Sequence, residues 1–370
     1  MNLSQSQSLT AHIRAEALRL GFFKVGITPV RPLPWSEQLD AWLDEDRHGE
    51  MAYLSLQAAK RKEPGLVLRN ARSMVILAMN YFSSPELADD PLKGRISRYA
   101  WGEDYHKIVG KNLERLRESI EQAAPGVSAL TYVDTGPIME KVWGAQSSLG
   151  WMGKHSNLIT REQGSWFFIG TILLDLELAY DNPEQDFCGT CTSCISACPT
   201  GAIVAPYVVD ARLCISYLTI ELRGAIPLAM RPLIGNRIFG CDDCQEVCPW
   251  NRFAAETPEH GFRPRSGNHM HELQALVGIT KSEFDERFKG SPIKRAGRDG
   301  FVRNVVVALG NSRSPEALPA LERALHDESA LVRAHAAWAL RQIPGDDAKK
   351  VLEAARRTET DPVVLEEGLL

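Results

Sequence analysis

Along the first 178 residues the spacing of hydrophobic positions changes repeatedly between a strand-like and a helix-like period. The runs "SMVILAMNYF" (Ser73 to Phe82), "ALTYVDTG" (Ala129 to Gly136) and "SWFFIGTILLDL" (Ser165 to Leu176) have strand length and a composition rich in β-branched and aromatic residues. Tyr105 to Ala124 and Ile138 to Leu149 carry apolar residues at helical spacing. The opening stretch, "MNLSQSQSLTAHIRAEALRLG", reads as an amphipathic helix stopped at Gly21. These patterns predict a mixed α and β domain built around a sheet.

After Gly261 the texture becomes helical. Val302-Arg303 recurs as Val332-Arg333, and Ala308-Leu309 matches Ala339-Leu340 after a slip of one residue. Each unit reads as a helix, a turn containing Pro or Gly, and a second helix. One such unit cannot bury its apolar face alone, so stacked units form a short solenoid, and this one resembles HEAT-like repeats. The expected fold class is α+β in three parts: a mixed α/β domain over residues 1–178, a cysteine-rich domain over 179–260 and helical repeats over 261–370.

Composition adds a compartment. With 44% hydrophobic and 24% charged residues the chain is an ordinary globular protein. No signal-peptide pattern opens it, and no apolar run approaches the ~18 residues that span a bilayer. A cytoplasmic protein without a membrane partner is expected, and there clustered cysteines mean metal or redox chemistry rather than disulfides. The net charge is −5, but Arg287 to Arg303 ("RFKGSPIKRAGRDGFVR") holds six basic residues against one acid, Asp299. Such a patch either docks a polyanion or is a solvated loop.

The eight cysteines form a complete set. "CGTCTSCISACPTGAI" (Cys188 to Ile203) has the C-x2-C-x2-C-x3-C-P spacing of two-cluster ferredoxins, in which the cysteine before proline ligates the other cluster. By that analogy Cys188, Cys191 and Cys194 hold one [4Fe–4S] cluster together with Cys248, from "CDDCQEVCPW". Cys198, Cys241 and Cys244 hold the second, with Cys214 of "DARLCISYL" as its fourth ligand. Two Zn(Cys)4 sites would use as many thiolates, but zinc ribbons favour separated C-x2-C pairs.

Two clusters imply an electron acceptor. No G-x-G-x-x-G follows a strand, "SSLGWMGKHS" lacks the first glycine of a P-loop, and "DYHKIVG" has Val109 where the D-x-H-x-x-G cobalamin signature needs glycine. From these motifs alone the acceptor stays open.

The blocks "YAWGEDYHK", "YVDTGPIMEK", "GWMGKHSNLI", "GSWFFIGTILLDL", "CGTCTSCISACPTGAI", "CISYLTIELRGAIP" and "GNRIFGCDDCQEVCPWN", in this order from Tyr99 to Asn251, resemble the epoxyqueuosine reductase family of tRNA queuosine biosynthesis. The resemblance implies an oxidoreductase that uses two [4Fe–4S] clusters and cobalamin to reduce epoxyqueuosine to queuosine at the tRNA wobble position. It makes the first domain the cobalamin-binding catalytic one, the second ferredoxin-like, and the third a tRNA-docking platform. The family binds cobalamin without a histidine below the cobalt, which removes the difficulty posed by Val109.

The resemblance also assigns roles. Asp134, between the strand "ALTYVD" and a Gly-Pro turn, becomes the proton donor, a role that calls for a carboxyl raised by burial; without the family it reads as a turn or cap residue. Tyr105 and His106 become proton-sharing partners. Lys154, Ser156, Asn157, Ser216, Tyr217, Gly240 and Asp242 become cobalamin contacts, and His155 a contact to a corrin amide or substrate phosphate. Lys281, Arg287, Lys294, Arg295, Arg298 and Arg303 become tRNA contacts. Trp101, Tyr105 and Trp143 become stacking surfaces, with core packing favoured for Trp143. A monomer served by a low-potential electron donor of unidentified nature is expected. Two rival readings remain: a cobalamin reductase of small molecules, similar to reductive dehalogenases, and an electron-transfer subunit whose solenoid docks a partner.

Overall fold

The computed structural model describes residues 3–84, 90–265 and 267–366. Its centre is a four-stranded antiparallel sheet in the order Lys24–Pro29, Ser73–Asn80, Phe167–Leu174, Ala129–Tyr132. Every residue of Ser73–Asn80 is buried, because this strand is covered on both faces. Val75, Leu77 and Met79 point into one core, with Phe168 and Ile172 of the neighbouring strand. Met74, Ile76 and Ala78 point into the other, with Leu173 and Trp143.

The first core is closed by two helices. Leu3–Arg19 buries Leu9, Ile13 and Ala17, and Tyr105–Ala123 buries Tyr105, Val109, Leu113, Leu116 and Ile120, the 3–4 spacing of a helix face. Asp104 caps the second helix by accepting from the amide of His106 at 3.1 Å. Gly21, at φ +93, turns the chain from the first helix into the first strand. That strand, Lys24–Pro29, went unread in the sequence. The predicted Ile138–Leu149 helix is shorter than expected and spans Glu140–Ala145.

The three regions are stitched together. A second sheet sets Lys93–Ile96 between Arg237–Phe239, parallel to it, and Met270–Glu272, antiparallel to it. One core then runs from Ile96 and Trp101 through Ile215, Leu218 and Phe239 into the C-terminal helices. Gly297–Ser312 and Ala330–Gln342 are the long helices of the repeats, and Gly310 lets their backbones approach, since a Cβ there would lie 2.8 Å from Ala339. No helix among the described residues is long and apolar enough to cross a membrane.

The repeats corrected two assignments. Arg303 is fully buried; its guanidinium donates to the carbonyls of Leu218, Leu222 and Gly224 at 2.6–3.0 Å. Arg298, 5% exposed, is paired in the interior with Asp327 at 2.5–2.6 Å. Neither side chain is free for a phosphate: the helix that carries them is buried on nearly all sides, so a basic residue on it meets protein.

Candidate active site

Asp134 follows the edge strand Ala129–Tyr132 in a tight turn, in which the Thr135 amide donates to the Val133 carbonyl at 2.7 Å. Its backbone lies in the left-handed region (φ +47), a conformation non-glycine residues hold only where the surroundings impose it. Both carboxyl oxygens accept hydrogen bonds. The Tyr105 hydroxyl donates to Oδ2, and His106 Nε2 lies 2.9 Å from Oδ1. His106 Nδ1 lies 2.7 Å from Asp104 Oδ1, so the imidazole is held between two carboxyl groups. Burial works against a charged ring here, but the hydrogen bonds to Asp104 and Asp134 outweigh it, and the pKa of His106 rises to about 9. The Tyr105 hydroxyl is pushed well above its usual value by burial and by the Asp134 charge, so it remains a donor. Its ring is fixed by stacking on Phe168, centroids 4.2 Å apart and planes 4° from parallel.

This is a different arrangement from the buried carboxylic acid expected of Asp134. The Asp134 side chain is 55% exposed, and the stored proton sits on His106. Asp104, the helix cap, was not foreseen as part of the site.

Four cysteines predicted for one cluster line one cavity, and three of those predicted for the other interact with one another. A cavity of about 250 Å³ is lined by Cys188, Cys191, Cys194 and Cys248, the four thiols that ferredoxin spacing assigns to one cluster. The second set lies deeper. Cys214 interacts electrostatically with Cys198, and Cys244 with both of them, and burial is the first cause that raises the thiols of Cys214, Cys241 and Cys244.

Lys141 joins the second set to the proton site. Its ammonium interacts with Cys244, Cys214 and Asp134, and its pKa is lowered by the protein crowded around it, although the residue is exposed. Glu140, beside it, has its carboxyl pushed up to about 7 by burial and interacts with Asp134. Its Oε1 is buried without a hydrogen-bond partner among the described residues. Neither residue was singled out in the sequence.

Among known families, the chain matches a 4Fe–4S double cluster binding domain over residues 187–251, the epoxyqueuosine reductase QueG family over 61–135 and HEAT repeats over 300–369. It is 44% identical over 338 residues to the epoxyqueuosine reductase of Salmonella typhimurium, covering 90% of this chain and 88% of the relative. The chain belongs to the epoxyqueuosine reductase family. Membership makes it an oxidoreductase with two [4Fe–4S] clusters. Two solved members superpose over 98% of both chains. An epoxyqueuosine reductase with a tRNA-Tyr epoxyqueuosine-modified stem loop has TM-score 0.89 and 29% identity. The Bacillus subtilis enzyme, with the Asp134 catalytic loop of that protein swung out of the active site, has TM-score 0.90 and 28% identity.

Against this family background the remaining predicted residues divide by their partners. Lys154 Nζ donates to the carbonyls of Gly189 and Cys191 at 2.7 and 2.9 Å, so it braces the first cluster loop. Ser156 donates to Tyr207, Tyr217 accepts from the Glu50 amide, and Asp242 accepts from Ser97 and the Arg98 amide. Burial pushes the Asp242 carboxyl up to about 6, against those hydrogen bonds. Gly240 (φ +73) donates its amide to Thr219. Asn157 accepts from Lys141 at 2.7 Å, and Ser216 is half-buried beside Cys214. His155 lines the cavity of Cys188, Cys191, Cys194 and Cys248.

Of the basic residues, Lys281 and Lys294 share Asp285, Arg295 pairs with Glu221 at 2.8 Å, and Arg287 contacts His271. Arg295 interacts with Asp134 and approaches the half-exposed ring of Tyr53 at 6.0 Å, so both lie on the proton-site side. Trp101 and Trp143 are 1% and 0% exposed and are core residues, not stacking platforms.

Proposed function

We propose that this chain reduces epoxyqueuosine in the wobble position of tRNA to queuosine, with residues 1–178 as catalytic domain, 179–260 as electron-transfer domain and 261–370 as tRNA-docking domain. The observation that carries the reading is the Asp104–His106–Asp134 chain, completed by Tyr105, with Lys141 interacting with both Asp134 and the deeper cysteine set. The reaction consumes two electrons and two protons: the epoxide C–O bonds break, an alkene forms and the oxygen leaves as water. Two protons must therefore reach one oxygen in turn. His106 holds a proton at Nε2, on the oxygen of Asp134 that faces it. Asp134, half-exposed, passes that proton to the substrate oxygen, and Tyr105 fixes the carboxyl so that one lone pair stays turned outward.

Cobalamin would sit beside Lys141, between Asp134 and the deeper cysteine set, with which that ammonium interacts. The unpartnered Glu140 Oε1 would accept from a corrin amide, and Asn157, Ser216 and Gly240 would contact the cofactor from the side of the second cysteine set. Lys154, Ser156, Tyr217 and Asp242 shape that side through the internal partners given above. Bound there, cobalamin would supply a reduced cobalt centre that donates electrons to carbon as the C–O bond opens.

For the tRNA, Lys281, Arg287, Lys294 and Arg295 offer a surface for phosphates, and Tyr53 an exposed ring for an unstacked base. The family member solved with a modified stem loop supports this docking. The test is nucleoside mass spectrometry of epoxyqueuosine-bearing tRNA, incubated anaerobically with the reconstituted protein, cobalamin and a strong reductant. Loss of one oxygen supports the reading. No loss, despite full clusters and bound cobalamin, overturns it.

A further inference from the structure

His155 is 4% exposed and lines the cavity of Cys188, Cys191, Cys194 and Cys248. The Asn157 amide donates to Nδ1 at 3.1 Å, which makes Nδ1 the acceptor nitrogen. Gly153 allows this tight turn, since a Cβ there would lie 2.8 Å from the imidazole Cε1. A ring nitrogen that accepts carries no hydrogen, so the ring is neutral. In a neutral imidazole with Nδ1 accepting, the hydrogen is on Nε2. That Nε2 is buried and has no partner among the described residues. Buried donors are rarely left unpaired, and the side chains lining this cavity include no carboxylate, amide or hydroxyl that could accept. What the cavity offers is sulfur.

We propose that His155 donates its Nε2–H to a sulfur of the cluster held by Cys188, Cys191, Cys194 and Cys248, and that this bond raises the cluster's reduction potential. The proposal rests on the assignment of those four thiolates to one cluster. A reduced cluster carries one more negative charge than an oxidised one, so a donor aimed at its sulfur stabilises the reduced form. His155 is thus a tuning residue, not a catalytic one.

The experiment is an anaerobic redox titration followed by electron paramagnetic resonance on the cluster-loaded protein and on His155→Phe and His155→Gln. Expected are a lower midpoint for one cluster in the Phe variant, an unmoved midpoint for the other, and partial recovery in the Gln variant, which restores an N–H donor. In the wild type labelled with nitrogen-15 histidine, electron–nuclear double resonance should show a histidine nitrogen and an exchangeable proton coupled to one reduced cluster. Full iron content with unmoved midpoints in the Phe variant, or no such coupling in the wild type, overturns the proposal. The wild-type measurement stands even if the Phe variant fails to load. Cys191→Ala separates the underlying assignment: it should halve the iron per chain, and retention of both clusters would overturn the cavity assignment itself.

Discussion

At the scale of single residues, the chemistry turns on where a proton is kept. His106 between Asp104 and Asp134 has a pKa raised from 6.5 to about 9. A raised pKa means that the folded site favours the protonated ring: that preference is fully present below pH 6.5 and is lost as pH rises through about 9. Epoxide reduction should therefore fall on an alkaline limb near pH 9. Asp104→Asn removes one of the two carboxylates that raise the ring, so the limb should move toward lower pH. A limb that stays in place in a pH–rate profile of that variant would separate His106 from proton delivery. Asp134→Asn keeps the turn but cannot pass a proton, and a loss of roughly 10²–10⁴-fold in rate is expected, with cluster content unchanged. Asp134, Tyr105 and His106 were legible because they stand in two recognisable blocks, "YVDTGPIMEK" and "GEDYHK". The exposure of Asp134 was not, since it depends on how the edge strand and its turn meet the Tyr105–Ala123 helix. Asp104 looked like a cap because it is one; its second contact appears only when His106 turns back onto it.

At the scale of elements, patterns that are extreme read well and balanced ones do not. The Ser73–Asn80 strand is apolar nearly throughout because both its faces are covered, and no helix signal competes with it. The neighbouring Lys24–Pro29 strand is an edge strand holding Gly26 and Pro29, both poor strand formers, and tertiary packing decides it. Gly26 is needed there: a Cβ would lie 2.1 Å from the Ser147 hydroxyl. The helical repeats were plain from their apolar spacing, but basic residues within them were misread as surface. Spacing says which face is apolar; it does not say when a long side chain is sunk into the interior to satisfy a charge or a carbonyl. The Arg298–Asp327 pair is such a case, at 5% and 3% side-chain exposure. Asp327→Ala would leave a buried guanidinium uncompensated, and a loss of about 3–5 kcal/mol is expected in denaturant unfolding. Lys281→Ala, whose ion pair with Asp285 is exposed, should leave the unfolding midpoint nearly unmoved. Equal effects would mean that the buried pair is not what holds this repeat.

For the whole molecule, three textures along the sequence suggested three units in a row, yet the folded chain is knit across them. Lys93–Ile96, from the first region, is the middle strand between one strand from the cysteine region and one from the start of the repeats. Pairings over such sequence distances leave no local signature, so the second sheet could not be read in advance. The repeats do more than extend a surface. Arg303 satisfies the carbonyls of Leu218, Leu222 and Gly224, and Asn304 those of Thr219 and Ile238, on the segments that follow Cys214 and precede Cys241. The helix carrying this pair also covers the apolar core that Ile215, Leu218, Ile238 and Phe239 share with it. A chain ending at residue 296 would leave five carbonyls without those donors and expose that core, at about 1–3 kcal/mol for each buried polar group left unmade. The two cysteines nearest these segments, Cys214 and Cys241, are those assigned to the deeper cluster, so its loss should accompany unfolding. The shortened chain is expected to melt well below the full one and to retain iron for at most one cluster, measured by circular dichroism and iron content. If it melts like the full chain and holds both clusters, the repeats are an appended docking surface, and Arg303 and Asn304 merely fasten it on. Loss of the deeper cluster on truncation would instead mean that the tRNA platform and the electron path are one folding unit, so that a substitution in the repeats can silence the reaction without touching the tRNA.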